Sequence, residues 1–211
     1  MNRENNQNPT CVNIKLNPLV IVISGPSGVG KDAILNRMKE RRYPFEFITT
    51  VTTRRKRANE IDQVDYHFIS VEEYQTLLQN DGLLESANVY GNWYGVPKAS
   101  VKEAVARGKD IIIKVDVQGA ANIKKTLPEA VFIFIMPPSI EELSTRLNRR
   151  STETPADLSV RLKTAETEIK QINDFDYVVQ NHRNEIDAAI EDIMSIVKSE
   201  KCRVKQRKVE L

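Results

Sequence analysis

Apolar positions along this chain follow two rhythms. Leu19–Ile23, Ile111–Ile113 within Asp110–Asp116, and Ala130–Met136 are unbroken apolar runs. A strand covered by helices on both faces of a parallel sheet needs such a run. Phe45–Thr50 and Asp176–Val179 predict shorter strands. Between the runs, apolar residues recur at helical spacing. Helices are predicted from Asp32 to about Arg42, over Lys98–Arg107, from Val117, from Ser139, from Ala156 to about Ile172, and over Asn184–Val197. Tyr43-Pro44 stops the first and Gly108 the second. Ser139 reads as an N-cap with Glu142 completing a capping box. Buried strands alternating with helices predict an α/β fold around a parallel core sheet.

One region interrupts the alternation. After Phe45–Thr50 come a short strand within Asp65–Ser70 and an amphipathic helix over Val71–Asp81, with Tyr74, Leu77 and Leu78 on one face. Leu83–Ala87 follows, then a turn over Val89–Pro97 dense in aromatics and glycine. Such a turn is either a packed corner or one wall of a ring-binding pocket.

The chemistry concentrates at strand ends. Leu19–Ile23 runs into Ser24-Gly25-Pro26-Ser27-Gly28-Val29-Gly30-Lys31-Asp32, a G-x-x-x-x-G-K loop that opens a helix. Its glycines let successive N–H groups curl around an anion, the helix dipole adds to them, and Lys31 brings a full charge to the β- and γ-phosphates. The hydroxyl that ordinarily follows the lysine and meets Mg²⁺ is here Asp32. The strand–loop–lysine–helix order predicts a nucleoside-triphosphate site.

Thr49-Thr50-Val51-Thr52-Thr53-Arg54-Arg55-Lys56-Arg57 places hydroxyls beside four cations. It is either a solvated charge run or a forked grip on phosphate oxygens. Glu85 stands among apolar neighbours, either facing water from an edge strand or serving a site. Asp116 ends a buried strand, where ligands of open α/β sheets bind, and so is expected beside the loop. Arg146, Arg149 and Arg150 share a helix face, with Arg161 on the next helix. Helical arginines are usually solvated, but after a phosphate loop they read as a lid folding over phosphates.

Composition narrows the classes. The net charge of +2 favours neither a nucleic-acid nor a membrane partner, so any anion site must come from local clusters. The longest apolar runs are too short to span a bilayer. Cys11 and Cys202 form no metal or disulfide pattern, which fits a reducing compartment. Met1–Asn17, with six asparagines, is expected to be a disordered leader, and the basic Lys198–Lys208 segment is expected to fray. His67 and His182 lack a nucleophile partner and read as structural.

Together these stretches resemble the guanylate kinase family, the nucleoside monophosphate kinases that phosphorylate GMP with ATP. The resemblance runs from roughly Leu19 to Val197. It rests on Gly25–Lys31, Thr52-Thr53-Arg54 with Arg57, Asp65-Tyr66-His67-Phe68, Leu84-Glu85, Gly91-Asn92-Trp93-Tyr94-Gly95, Asp116-Val117-Gln118-Gly119, and Pro137-Pro138-Ser139 through Thr154. It implies a P-loop NTPase-type three-layer sandwich with a parallel core sheet, an inserted mixed α/β flap and a helical lid. The implied layout is a leader over 1–17, a domain over 18–198 (core 18–46, 97–145 and 162–198; GMP-binding flap 47–96; lid 146–161), and a basic tail over 199–211. ATP would meet Ser24 through Asp32 with Arg150 and Asn181. GMP would meet Thr50, Arg54, Arg57, Tyr66, Tyr94, Glu85 and Asp116, with Glu85 reading the guanine N1–H and exocyclic amine. Lys31, Arg54, Arg146, Arg150 and Arg161 would stabilise the transferring phosphoryl group. Asp32 and Asp116 would hold Mg²⁺, partly through water. The protein would be a cytoplasmic monomer or homodimer, with dGMP as a second acceptor.

Three positions depart from the family pattern. Asp32 replaces the loop hydroxyl, as in what looks like a plastid and cyanobacterial-like subgroup. Val96 stands where a Ser or Thr often meets guanine, a contact worth about 1 kcal/mol. Lys114 stands where some members carry a further Asp. Two other readings compete: a non-catalytic guanylate-kinase-like binding module, or a related P-loop kinase acting on another phosphorylated small molecule. The intact glycines and Lys31 speak against the first, and Glu85 with Tyr66 and Tyr94 against the second.

Overall fold

The computed structural model describes residues 16–58, 60–89, 91–148 and 155–211, and of residues 155–158 the backbone alone. Arg149, Arg150, most of the expected leader and part of the expected lid lie outside the described residues. The elements run β1 (Val20–Ser24), α1 (Lys31–Glu40), β2 (Glu46–Ile48), β3 (Val51–Thr52), β4 (His67–Phe68), α2 (Val71–Gln79), β5 (Leu83–Val89) and β6 (Asn92–Pro97). They continue with α3 (Lys98–Ala106), β7 (Ile111–Lys114), α4 (Val117–Thr126), β8 (Val131–Met136), α5 (Ile140–Asn148), α6 (Pro155–Ile169), β9 (Tyr177–Gln180) and α7 (Ile186–Lys201).

Five strands form one parallel sheet in the order β2-β7-β1-β8-β9. The unbroken apolar runs follow from this placement, because successive side chains of each strand enter opposite layers. Ile21, Ile23, Ile112, Ile133 and Ile135 pack with Ile34 and Met38 of α1 and Ile190 and Ile193 of α7. Val20, Val22, Ile111, Ile113 and Phe132 pack with Val101 and Ala104 of α3 and Ala120 and Ile123 of α4. Each such side chain contributes about 1.5–3 kcal/mol on burial. The result is the expected three-layer α/β sandwich.

The interruption seen in the sequence is a second sheet, ordered β4-β3-β6-β5, with β3 parallel to β4 and antiparallel to β6. The strand expected over Phe45–Thr50 is shorter: Glu46–Ile48 forms β2 in the core sheet, and a separate strand, β3, begins the inserted sheet at Val51. The insertion therefore starts after Ile48 rather than at residue 47. Helix α2 carries a complete capping box, with Ser70 Oγ accepting from the Glu73 N–H (3.1 Å) and Glu73 accepting from the Ser70 N–H (2.7 Å). Tyr74 is buried and Leu77 half-buried, whereas Leu78 is exposed, off the packed face.

The aromatic turn expected over Val89–Pro97 is mostly strand. β6 pairs with β5 along Leu83–Val89, and Trp93 stacks on Tyr74 (5.7 Å between centroids). The capping box expected at Ser139 is half made. Ser139 Oγ accepts from the Glu142 N–H (3.1 Å), while the Glu142 carboxylate turns to Arg146 (3.0 Å).

The basic tail does not fray. Helix α7 extends to Lys201, and Arg207 lies against buried Glu200, donating through Nε (2.9 Å) and Nη2 (3.1 Å). Asn17, assigned above to the leader, is held by Gln206, Arg207 and Lys201. A helix end with an inward-facing carboxylate turns what composition marks as a solvated tail into a strap.

Candidate active site

The carboxyl ends of β1 and β7 open onto a cavity of about 490 Å³, bounded by the glycine loop, the inserted sheet and helix α6. That is the place and size expected for a small-molecule site in an α/β fold. Lys31 begins α1, and its ammonium donates to the carbonyls of Gly25 (2.5 Å) and Pro26 (3.1 Å). Burial lowers its pKa, while Glu168, Asp32 and Asp116 pull the other way. Gly30, at φ 104°, admits no side chain, since a Cβ there would lie 2.4 Å from Asn181 Nδ2.

The opposite wall carries the cationic segment. Thr50 is buried on it. Arg54 donates to Glu60 (2.7 Å) and to the Tyr94 hydroxyl (3.2 Å), and its guanidinium lies 5.5 Å from the Tyr66 ring centroid. Arg57 shares Glu60 at 3.7 Å. Arg54 is thus held as a fixed fork, whereas Arg55, Lys56 and Arg57 are exposed.

Glu85 does not face water. It is 5 % exposed, beside the N-terminus of α4, and a Cβ at Gly119 would lie 3.0 Å from its Oε1. Burial, then the charge of Asp116, pushes its pKa up to about 8. Its Oε1 has no hydrogen-bond partner among the described residues. An orphaned buried acceptor on a cavity wall points to a donor that arrives with a ligand. Asp116 caps α4, accepting from the Gly119 N–H at 2.7 Å. Val96 is fully buried in the core and does not line the cavity.

From the expected lid, Arg161 lines the cavity and donates to Ser27 Oγ (2.7 Å). Glu168, seven residues on along the same helix and hence on the same face, also lines it. Burial raises the Glu168 pKa against the pull of Lys31 and the Ser27 N–H. Its helical spacing from Arg161 was the signal that could have flagged it.

Four expected residues stand off the cavity. Ser24 is wholly buried beneath the loop, and Pro26 presents only its carbonyl, to Lys31. Asn181 Nδ2 donates to the Val29 carbonyl (2.8 Å). Arg146 donates to that same carbonyl (2.9 Å) and to the Asn181 carbonyl (2.9 Å). Both brace the loop from outside, because the backbone carbonyls of a curled loop point away from the anion its N–H groups face. Arg150 lies outside the described residues.

Among the described residues, no cluster of three or more His, Cys, Asp or Glu could hold a metal by itself. Asp32 and Asp116, both on the cavity, are hard oxygen donors that fit a Mg²⁺ ion arriving on phosphates and keeping several waters. They do not suit an ion caged by protein alone.

The guanylate kinase family profile matches residues 17–200. The chain belongs to the guanylate kinase family. It is 45% identical to guanylate kinase 2, chloroplastic/mitochondrial, of rice, over 92% of this chain and 68% of that one. With the guanylate kinase of Desulfitobacterium hafniense it shares 41% over 90% and 94% of the two lengths. The crystal structure of guanylate kinase from Anaplasma phagocytophilum superposes with a TM-score of 0.73 at 31% identity, covering 90% of this chain and 88% of that one. The chain is thus a nucleoside monophosphate kinase that phosphorylates GMP in an ATP-dependent reaction. No helix of the described residues is long and apolar enough to cross a membrane.

Proposed function

We propose that this guanylate kinase transfers the γ-phosphoryl group of ATP directly to the phosphate of GMP, with dGMP as a second acceptor. The ATP phosphates lie on the loop from Gly25 to Asp32 with Lys31 against them, and Arg161 reaches them from α6. Arg54, Arg57, Tyr66 and Tyr94 hold the GMP phosphate. Glu85, with Thr50 and Asp116, reads the guanine. Mg²⁺, brought in on ATP, would neutralise phosphate charge beside Asp116 and, through water, Asp32.

The residues need form no covalent bond, because phosphoryl transfer between two bound nucleotides is positioning plus charge stabilisation. Closure of α6 over the cavity would exclude water, so that a GMP oxygen attacks the γ-phosphorus. Arg146 and Asn181 act through the loop, by fixing the Val29 carbonyl. The compartment we propose is a bacterial-type cytoplasm.

The observation that carries this reading is the orphaned Oε1 of Glu85, in one cavity with Lys31 and the Arg54–Glu60 fork. It is tested by ADP release with ATP and Mg²⁺, comparing GMP, AMP, CMP and UMP as acceptors. Turnover with GMP is expected to exceed the others by at least about 10³-fold, and Lys31→Ala to lower kcat by about 10²- to 10³-fold. Equal turnover of AMP would overturn the guanine assignment.

A further inference from the structure

Two of the three departures from the family pattern meet in space. Lys114 ends β7, in register with Ile23 at the end of β1, so its side chain emerges beside the glycine loop. Its ammonium donates to Asp32 Oδ1 at 2.5 Å and lies 4.1 Å from the centroid of the Tyr66 ring. The side chain is only 13% exposed, yet it lines the cavity. Lys114 is therefore bracketed by a residue of the phosphate-donor loop on one side and a residue of the acceptor grip on the other.

Charge makes this position informative. A carboxylate after the loop lysine adds a negative charge where phosphates must sit, and Lys114 cancels it. Yet cancellation alone does not require the cation to sit inside the cavity. Lys31 and Lys114 share that cavity, so two ammonium groups face the place where phosphates would sit.

We propose that Lys114 is a catalytic cation of this kinase, contacting phosphate oxygens where the donor and acceptor phosphates meet, and that Asp32 and Tyr66 position it there. In this arrangement Asp32 is a positioning residue, which is why it can stand where the family pattern has a hydroxyl. The ammonium balances charge that develops between the leaving ADP oxygen and the attacking GMP oxygen. It forms no covalent bond and transfers no proton.

The proposal rests on the GMP-kinase reading, and wild-type turnover of GMP tests that reading separately. Lys114 itself is tested by the ratio of variant to wild type. Lys114→Met is expected to lower kcat by about 30- to 100-fold, with KM for ATP and GMP held within about threefold. Lys114→Arg is expected to retain kcat within about tenfold of wild type, since it keeps the charge.

The deciding variant is Asp32→Ser/Lys114→Met, which removes both charges and so leaves neither unpaired. The reference for it is Asp32→Ser alone. If Lys114 contacts phosphate, the double variant stays about 30-fold or more slower than Asp32→Ser. If Lys114 merely neutralises Asp32, the double variant matches Asp32→Ser and the proposal falls. It falls equally if Lys114→Met alone keeps a third or more of wild-type kcat. A second readout needs no turnover. In EDTA, calorimetric affinity for an adenosine–guanosine dinucleotide joined by five phosphates should weaken about tenfold in Lys114→Met, while GMP alone binds within about threefold of wild type. Unchanged binding of the joined dinucleotide would overturn the contact.

Discussion

Glu85→Ala is expected to lower kcat/KM for GMP by about 10³-fold or more and to erase most of the preference for GMP over AMP, leaving KM for ATP within about threefold. The magnitude follows from the kind of contact. Guanine offers two donors to the charged carboxylate, whereas adenine would turn its N1 acceptor toward the same oxygens. The preference for GMP should therefore be fullest above about pH 8, where the carboxyl is charged. A site built to satisfy donors rejects a base that lacks them far more strongly than a hydrophobic wall rejects a misfit. Initial rates with GMP and AMP measure this directly. A variant that keeps the GMP preference would show that another group reads the base.

The same residue sets a pH dependence. Burial, then the neighbouring charge of Asp116, raises the Glu85 pKa to about 8, so at neutral pH the unliganded carboxyl holds its proton. Guanine donors require the charged form. GMP binding below pH 8 should therefore release about one proton, and affinity should rise toward pH 8 and level above it. Calorimetry in buffers of different ionisation enthalpy counts that proton.

The stability consequence has the opposite sign. A carboxyl whose folded pKa lies above its unfolded value of 4.5 contributes stability that is fully present below 4.5 and lost as pH rises through about 8. Glu85→Gln carries no such charge, so it should melt higher than wild type at pH 8 while failing to select guanine. On the proposed reading of Glu85, stability is given up for guanine binding.

Arg207→Ala is expected to destabilise the fold by about 3–5 kcal/mol while leaving kcat unchanged well below the melting temperature. The Glu200 side chain has no exposed surface. It accepts from Arg207 Nε and Nη2 and from the Tyr177 hydroxyl (2.6 Å). Arg207 also donates to the Ala130 carbonyl (2.9 Å) and pairs with Asp176 (3.3 Å), tying the C-terminal strap to β8 and β9. Removing the guanidinium leaves the buried carboxylate with only the Tyr177 hydroxyl and a longer contact from Arg203 at 3.4 Å.

Burial pushes the Glu200 pKa up, but the bonds from Arg207 and Tyr177 outweigh it and hold the pKa below 4.5. The pair's contribution is therefore present above 4.5 and lost as pH falls through the lowered value. Urea unfolding at neutral pH measures the loss, and Tyr177→Phe should cost less, about 1 kcal/mol. Equal stability of Arg207→Ala and wild type would mean that Glu200 is satisfied some other way.

Much of the core was legible because its signals are local. The runs at Leu19–Ile23, Ile111–Ile113 and Ala130–Met136 each report a strand with both faces covered, and all three are central strands of the parallel sheet. The glycine loop declares itself because a curled backbone opening a helix needs those residue types in that order. The carboxyl-end rule correctly put Asp116 beside Lys31.

Errors arose where position depends on a partner far along the chain. Val89–Pro97 reads as a turn by composition, yet most of it is strand because β5 supplies its ladder. Glu85 could have faced water, and only the packing of α4 against it decides that it does not. The residues around Lys198–Lys208 look like any basic tail until Glu200 turns inward and gives Arg207 a buried anion.

By itself, the sequence determined the fold class, the phosphate loop and the family, because these rest on periodicity, on backbone chemistry that only certain residues allow, and on motifs in a fixed order. Tertiary structure alone decided which charges meet. It placed Arg146 and Asn181 behind the loop, Glu168 on the cavity wall, and Lys114 against Asp32 across a separation of 82 residues. The reason is physical. Periodicity records which face of an element is buried, whereas a charge's partner is set by how elements cross, and burial then fixes how strongly that charge acts.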